Sequence, residues 1–148
     1  MGNSNSIITI NYESVQKAIS NKNSFMINTL RISNQSCLIA TTLSIDTEVD
    51  ILNANITKNK AVPIIVYGTN ACDETVEKKC KQLHALGFQN IYVYPGGMFE
   101  WLLLQDIYGA DLFPTTGNCK DPLEYKNCLS IDNIHTPMIE PNHLALLG

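Results

Sequence analysis

One cysteine in a polar turn is the side chain of this sequence best placed for covalent chemistry. Cys72 lies between an apolar run and an amphipathic stretch, and a helix N-terminus favours the thiolate because its backbone N–H groups attract negative charge. Asp73 and Glu74 follow directly, and two carboxylates beside a thiol oppose its ionisation. Cys72 is therefore either a reactive nucleophile or an ordinary unreactive thiol. The candidate active-site loop comprises Gly68, Thr69, Asn70, Ala71, Cys72 and Asp73.

The other cysteines have structural interpretations. Cys80 lies on the apolar stripe of a helix and Cys37 precedes an apolar pair, so both are predicted to lie in the core. Cys119 and Cys128 lie nine residues apart, and with the histidines that follow them they match no known zinc-ligand spacing. His84 is predicted to be solvated on the exposed side of its helix. We therefore predict no metal site and no cofactor.

The candidate loop must be positioned by the elements on either side of it. Residues 61–67 are apolar throughout, which is typical of a central parallel strand covered on both faces. Residues 73–86 have helical periodicity, with Asp73 as the predicted cap. Further strands are predicted at 7–10, 25–29, 37–40 and 91–94, and further helices at 12–19, 46–58 and 98–108. This alternation predicts an α/β domain with a single parallel sheet flanked by helices on both faces.

The second half of this pattern resembles a rhodanese domain. The resemblance covers roughly residues 7–117, and in the first half it depends mainly on the order of the elements. The run 97–109 followed by 113–116 is also similar to a subgroup of rhodanese-like proteins from protists and large DNA viruses. The residues that carry the family resemblance are Ile64–Tyr67, Leu86-Gly87-Phe88, Asn90-Ile91-Tyr92-Val93, Gly96-Gly97 and Trp101.

The resemblance implies sulfur transfer, but this sequence departs from the pattern of the active members. In those members a cysteine directly after the strand carries a persulfide, loop N–H groups stabilise its charge, and a basic residue binds the anionic donor. Here Gly68 stands where the cysteine is expected, and no Arg or Lys occurs between Gly68 and Val76. Counting back from the glycine that ends the helix instead moves the expected position to about Asn70. The family's Asp-x-Arg appears as Asn28-Thr29-Leu30, with Arg31 one residue too late.

These departures lead to two main hypotheses. In the first, the chain is a rhodanese-like domain protein with weak or no sulfurtransferase activity that acts as a binding or regulatory module. In the second, it is an enzyme, a thiosulfate or persulfide sulfurtransferase or a thiol-based phosphatase relative, with Cys72 as the nucleophile. A structural protein that dimerises through a sheet edge or the C-terminal segment is a third. The expected partner is a small sulfur-containing anion or another protein.

Composition excludes several other classes of protein. The 148 residues carry a net charge of −4, so there is no basic surface to neutralise the phosphates of a nucleic acid. Hydrophobic residues make up 45% of the chain, which excludes a wholly disordered protein. Five cysteines are too few for a disulfide-dense secreted scaffold, and no apolar run has the length of a membrane span. We therefore expect a cytoplasmic domain with reduced thiols.

The first six residues fit the pattern for N-myristoylation, with Gly2 as the acceptor and Ser6 in the required place. The alternative is a polar leader that matches by chance. Because one myristoyl chain gives only marginal binding, we expect at most transient membrane contact through Gly2. The predicted organisation is a flexible leader at 1–6, a rhodanese-like domain at 7–117 and a C-terminal tail at 118–148.

Overall fold

The computed structural model describes residues 7–117, 119 and 121–127. Its strands are β1 (Ile8–Thr9), β2 (Phe25–Asn28), β3 (Leu38–Ile39), β4 (Ile64–Tyr67), β5 (Ile91–Tyr94) and β6 (Thr115–Thr116). Its α-helices are α1 (Tyr12–Asn21), α2 (Ile45–Lys58), α3 (Thr75–Ala85) and α4 (Gly97–Tyr108). Short 3-10 turns occur at Ile32–Asn34 and Pro122–Tyr125.

Four of these strands form a parallel sheet in the order β1-β5-β4-β2. Strand β4 is central, pairing with β2 from Phe25 opposite Ile64 and with β5 from Ile91 opposite Ile64. All of its residues are buried, which explains why the sequence is apolar on both faces of this strand. The predicted central strand and its parallel neighbours are therefore confirmed.

Helices cover both faces of the sheet. Along β4 the side chains alternate, so Tyr67 packs in one core cluster and Val66 in the other. Trp101 of α4 is fully buried in the first cluster, which also includes residues of α1. Leu52 of α2 and Leu83 of α3 belong to the second cluster. The predicted α/β fold with helices on both faces is confirmed.

Strand β3 has a partner that the sequence did not indicate. Leu38 pairs with Thr116 and Ile39 with Thr115, so β3 and β6 form a separate antiparallel pair. The expectation that the predicted strand at 37–40 belongs to a single sheet is therefore wrong. A two-residue strand carries too little periodicity to specify its partner, which the fold brings in from 76 residues or more away.

Two of the cysteines are covalently joined. Cys37 and Cys119 form a disulfide across a sequence separation of 82 residues. The expectation of reduced thiols is therefore wrong for this pair, because the fold places together two residues whose sequence contexts are unrelated. Cys37 and Cys80 are both buried as predicted, and burial raises the pKa of the Cys80 thiol to about 11. Cys72 is an exposed free thiol, and Cys128 lies outside the described residues.

His84 differs from its prediction as a solvated residue. Its side chain is half-buried against the body of the domain, and its Nε2 atom is buried without a hydrogen-bond partner among the described residues. The position at the C-terminal end of α3, where the helix packs against the sheet, accounts for the burial.

Residues 121–127 return to the domain, and we call them the strap. Asp121 begins its turn by accepting a hydrogen bond from the N–H of Leu123 at 3.0 Å, and Pro122 suits the first helical position. Tyr125 is 1% exposed and packs in the same core cluster as Tyr67 and Trp101. The strap is thus anchored by an aromatic side chain in the core.

None of the helices in the described part of the chain combines the length and the apolar character needed to cross a bilayer. The N-myristoylation prediction concerns Gly2, which lies outside the described residues.

Candidate functional site

The candidate loop lies at the carboxyl edge of the parallel sheet. Strand β4 ends at Tyr67 beside the end of β2 at Asn28, and residues 68–74 connect β4 to α3. In open parallel sheets the loops at this edge form the crevices that bind ligands. The structure therefore places the loop predicted from the sequence where a functional site is expected.

The N-terminus of α4 holds the loop in place through backbone hydrogen bonds. The N–H groups of Met98 and Phe99 donate to the carbonyl oxygens of Gly68 and Thr69, each at 2.9 Å. Gly97 has a φ of +66°, and a Cβ atom there would lie 2.6 Å from the carbonyl oxygen of Gly68. Only glycine permits this backbone conformation and this contact together, so the double glycine positions the loop.

The carboxylate of Asp73 accepts hydrogen bonds at both ends of the segment that connects β4 to α3. Its Oδ2 accepts the N–H of Thr69 at 2.9 Å, and its Oδ1 accepts the N–H of Thr75 at 3.0 Å and the Thr75 hydroxyl. Burial acts to raise the pKa of Asp73, but these hydrogen bonds outweigh it and hold the pKa below its ordinary value. A carboxylate of the chain itself thus satisfies N–H donors at this loop.

Asp73 also fills the space beside Gly68. A Cβ atom at position 68 would lie 2.5 Å from Asp73 Oδ2 and 2.7 Å from Cγ2 of Val76. The side chain of a cysteine at position 68 therefore cannot be accommodated while Asp73 keeps its hydrogen bonds. Asp73 precedes the N-cap residue Glu74 and bonds the first N–H group of α3, which is close to its predicted capping role.

Cys72 contacts the strap. Its N–H donates to Oδ1 of Asn70 at 2.9 Å, which fixes the turn, and its Sγ accepts from Nδ2 of Asn127 at 3.0 Å. The side-chain amide of Asn70 donates to the carbonyl oxygen of Tyr125 at 3.0 Å. The loop and the strap are therefore connected through the hydrogen bonds of Asn70 and Cys72.

A cleft of about 510 Å³ lies between the loop, the segment after β2 and the strap. Two cations, Arg31 and Lys126, line it together with the thiol of Cys72. Sequence reasoning found no basic residue in the loop and missed both cations, because they reach the cleft from distant parts of the chain. One feature of the sequence could have indicated Arg31 as a residue of the cleft: it is the only arginine, and it lies just beyond the family's Asp-x-Arg position. The carboxylates that line the cleft are Asp73, Glu74 and Glu124.

An amide pair shapes the segment that carries Arg31. Asn28 is 3% exposed, and its Oδ1 accepts the N–H of Leu30 at 3.0 Å and Nε2 of Gln35 at 2.7 Å. Its own Nδ2 donates to Oε1 of Gln35 at 3.2 Å. Leu30, which takes the place of the family's arginine, is buried and supplies no charge to the cleft. The departure from Asp-x-Arg thus replaces a charged pattern by a neutral one and leaves Arg31 to line the cleft.

Sequence comparison agrees with this architecture. The model of the Rhodanese-like domain family matches residues 19–104, from within α1 into α4. The chain belongs to the rhodanese-like domain family. The match includes β2, β4, the candidate loop and the double glycine, so the resemblance to the rhodanese family is confirmed, while the similarity to a subgroup stays a prediction. No curated protein matches the chain.

Solved structures share the fold at low sequence identity. The Alr3790 protein from Anabaena sp. is 22% identical with a TM-score of 0.53, over 74% of this chain and 82% of that one. The solution structure of its rhodanese-like domain is 16% identical with a TM-score of 0.50, over 89% of this chain and 92% of that one. Thiosulfate sulfurtransferase from Pseudomonas aeruginosa is 17% identical with a TM-score of 0.52, over 66% of this chain but 19% of that one. At these identities the likeness establishes the fold alone.

The roles of the loop residues remain predictions. The structure brings Cys72 and Asp73 to one cleft with Thr69 and Asn70, and it places Gly68 beneath them against α4. Within residues 7–117, 119 and 121–127, no three His, Cys, Asp or Glu side chains are grouped as a metal ion would require.

Proposed function

We propose that this protein is a rhodanese-like domain protein with weak or no sulfurtransferase activity that acts as a binding or regulatory module. The observation that carries the proposal is the Asp73 carboxylate, which accepts the N–H groups of Thr69 in the loop and of Thr75 at the start of α3. Backbone N–H groups in such a loop are the donors that a bound anion or a persulfide needs. Here the N–H groups of Thr69 and Thr75 are already paired with a negative charge, so an incoming sulfur anion meets repulsion from Asp73 instead of these two donors.

The second support is the absence of a nucleophile where the family has one. Position 68 is glycine, and Asp73 with Val76 leaves no space there for a sulfur atom. Cys72 is exposed, and its Sγ contacts Asn127 of the strap. Cys72 therefore lacks the surroundings that would stabilise a persulfide in the manner of the active family members.

The cleft supports a binding role. Its volume of about 510 Å³ lies within the range of small-molecule sites, roughly 300–1,000 Å³. It carries cations on two of its walls, Arg31 and Lys126, and carboxylates on the loop and the strap. This mixture suits a partner that presents both charges, such as a protein segment, better than a simple anion. A small sulfur-containing anion bound between Arg31 and Lys126 is the other occupant in keeping with the fold.

The first test is whether the protein accepts sulfur. The purified chain would be incubated with thiosulfate and, separately, with a low-molecular-weight persulfide, and weighed by intact mass spectrometry beside Cys72→Ser. We expect no gain of a sulfur atom in either protein with either donor. A gain in the wild type that is absent from Cys72→Ser would contradict the proposal and identify the protein as an enzyme.

That second candidate function, a sulfurtransferase using Cys72, is favoured by one observation. Arg31 and Lys126 line the same cleft as Cys72 and supply the positive charge that the loop lacks. In the reaction, the Cys72 thiolate would attack the outer sulfur of thiosulfate, and the S–S bond would break as sulfite leaves with the electron pair. If this candidate is correct, Arg31→Ala should slow the transfer from thiosulfate, which carries two negative charges, more than the transfer from a persulfide whose only charge is that of its terminal sulfur.

A further inference from the structure

We propose that an apolar patch along the outer side of α4 binds a basic amphipathic helix of a partner protein. The α4 patch consists of five exposed side chains: Leu103, Ile107 and Tyr108 of α4, Leu112 just after it, and Tyr12 of α1. None of the five lines the cleft. The N–H of Met98 bonds the loop, and Ile107 lies nine residues further on, about 14 Å along the helix axis. The α4 patch is therefore a second surface, and the proposal goes beyond the function proposed for the cleft.

Helix α4 is apolar on two opposite sides. Trp101 and Leu102 are buried on the side that packs against the sheet. Leu103 and Ile107 are four residues apart, so they share a face, and they are 37% and 69% exposed. A helix that is apolar on all sides is normally buried on all sides. The outer side of α4 therefore has the composition of a surface that another element covers.

Contacts with one buried ring make the α4 patch continuous. The rings of Tyr108 and Tyr12 both lie against Phe113, with centroids 6.2 Å and 5.5 Å from the centroid of its ring. Leu112 precedes Phe113 in the chain, and its carbonyl oxygen accepts a hydrogen bond from Gln16 of α1 at 2.8 Å. Exposed apolar residues that are scattered singly are ordinary, whereas a continuous group of them marks an interaction site.

The charges beside the α4 patch are acidic. Three exposed carboxylates are sequence neighbours of patch residues: Asp106, Asp111 and Glu13. None of the three belongs to an ion pair among the described residues. The sequence has no Lys or Arg from position 82 to position 119, and α1 carries a single cation, Lys17. Such a surface is complementary to a helix that has apolar residues three and four positions apart and Lys or Arg beside them.

The same charges disfavour the other occupants of an apolar surface. In a two-fold contact with a second copy, the α4 patch would meet itself and carboxylates would face carboxylates. Anionic lipid headgroups would meet the same repulsion. Residues 128–148 of the chain contain Asp132 and Glu140 but no Lys or Arg, so they offer no complementary charge. A basic segment of another protein is the occupant that the charges favour.

The first test measures binding of a probe helix to the full chain by fluorescence anisotropy. The probe is a labelled peptide of about 18 residues, with Leu three and four positions apart and Lys at the other positions. One control peptide has Glu in place of every Lys, and another has the composition of the probe in scrambled order. We expect the probe to bind about tenfold or more tightly than either control. Its binding should weaken as salt is raised, because the charges at the edge of the patch are exposed.

Variants of exposed residues locate the binding surface. Ile107→Ser removes the most exposed apolar side chain of the α4 patch and should weaken probe binding about tenfold. Asp106→Lys should also weaken it and reduce its salt dependence. Val49→Ser and Asp50→Lys are the matched controls, because they make comparable changes to exposed residues of α2, on the other face of the sheet. Both controls should bind the probe as the wild type does.

A photo-crosslinking residue at position 103 of the full chain identifies what covers the α4 patch. We expect a crosslink to the probe, located by peptide mapping. A crosslink to residues 128–148 of the same chain in place of the probe would overturn the inference. A dimer that Ile107→Ser dissociates, or binding to phosphatidylserine vesicles that Ile107→Ser abolishes, would also overturn it. Equal probe binding by Ile107→Ser and Val49→Ser would show that the patch is not the binding surface.

Discussion

Gly68 and Gly97 lie at the two ends of one backbone contact, and each is glycine for a different reason. At Gly97 a Cβ atom would meet the carbonyl oxygen of Gly68 at 2.6 Å, so the obstacle is backbone. At Gly68 a Cβ atom would meet the carboxylate of Asp73 at 2.5 Å, so the obstacle is a side chain. The need for glycine at position 97 is therefore a condition of the fold, whereas the need for glycine at position 68 depends on the side chains at positions 73 and 76. The contact between the loop and α4 thus combines one side fixed by the backbone with one side that substitutions can change.

The largest expected effect comes from Gly97→Ala. Alanine at a φ of +66° is strained, and its Cβ would force the loop away from α4. We expect a loss of about 3 kcal/mol or more in the free energy of unfolding, measured by urea denaturation. Gly109→Ala is the matched control, because Gly109 also has a positive φ but has open space around it. A loss at Gly97 no larger than at Gly109 would show that the contact with Gly68 is unimportant.

The next effect comes from Gly68→Cys, alone and combined with Asp73→Ser. Alone, the new side chain clashes with Asp73 and Val76, and we expect a loss of about 2 kcal/mol and no persulfide with thiosulfate. In the double variant the smaller serine removes the clash with the Asp73 carboxylate and leaves the N–H groups to the new thiol, so that only the side chain of Val76 has to shift. We expect it to gain one sulfur atom in intact mass spectrometry. A double variant that stays unmodified would show that more than Asp73 separates this loop from an active one.

The smallest effect, and the one that depends on pH, is that of Asp73→Asn. The pKa of Asp73 is lowered in the fold, so its stabilisation is complete above the unfolded value, near 3.9, and is lost as pH falls through the folded value. At pH 7 the loss of hydrogen bonds to a charged acceptor should cost about 1–2 kcal/mol. The difference from the wild type should shrink below about pH 4 in urea titrations. Thr57→Val, which changes an exposed hydroxyl on α2, should show no such pH dependence.

The elements around the loop could be predicted from the sequence because their patterns are local. Strand β5 has the predicted ends, Ile91 and Tyr94, and α4 begins within one residue of its prediction. The burial of Cys80 follows from its place on the apolar stripe of a helix. The need for glycine at position 97 could also be stated in advance, because two glycines between a strand and a helix indicate close approach and positive φ.

The parts of the site that depend on tertiary structure could not be predicted. Arg31 and Lys126 are 95 positions apart in the sequence, and only the fold brings them to one cleft. The pairing of Cys37 with Cys119 is likewise a property of the fold, since a list of cysteines allows several pairings. Asp73 is the predicted cap of α3, and the N-cap residue in the structure is the next one, Glu74. That the Asp73 carboxylate occupies the space beside Gly68 depends on the tertiary structure and could not be predicted from the sequence.

The disulfide between Cys37 and Cys119 has a consequence for the order of events during synthesis. Cys37 leaves the ribosome 82 residues before its partner, and every strand of the parallel sheet is made in advance of Cys119. At about 5–20 residues per second, the thiol of Cys37 waits roughly 4–16 s for the residue that will pair with it. The sheet can therefore assemble around an open Cys37, and the chain closes this bond only when nearly all of the domain has been translated.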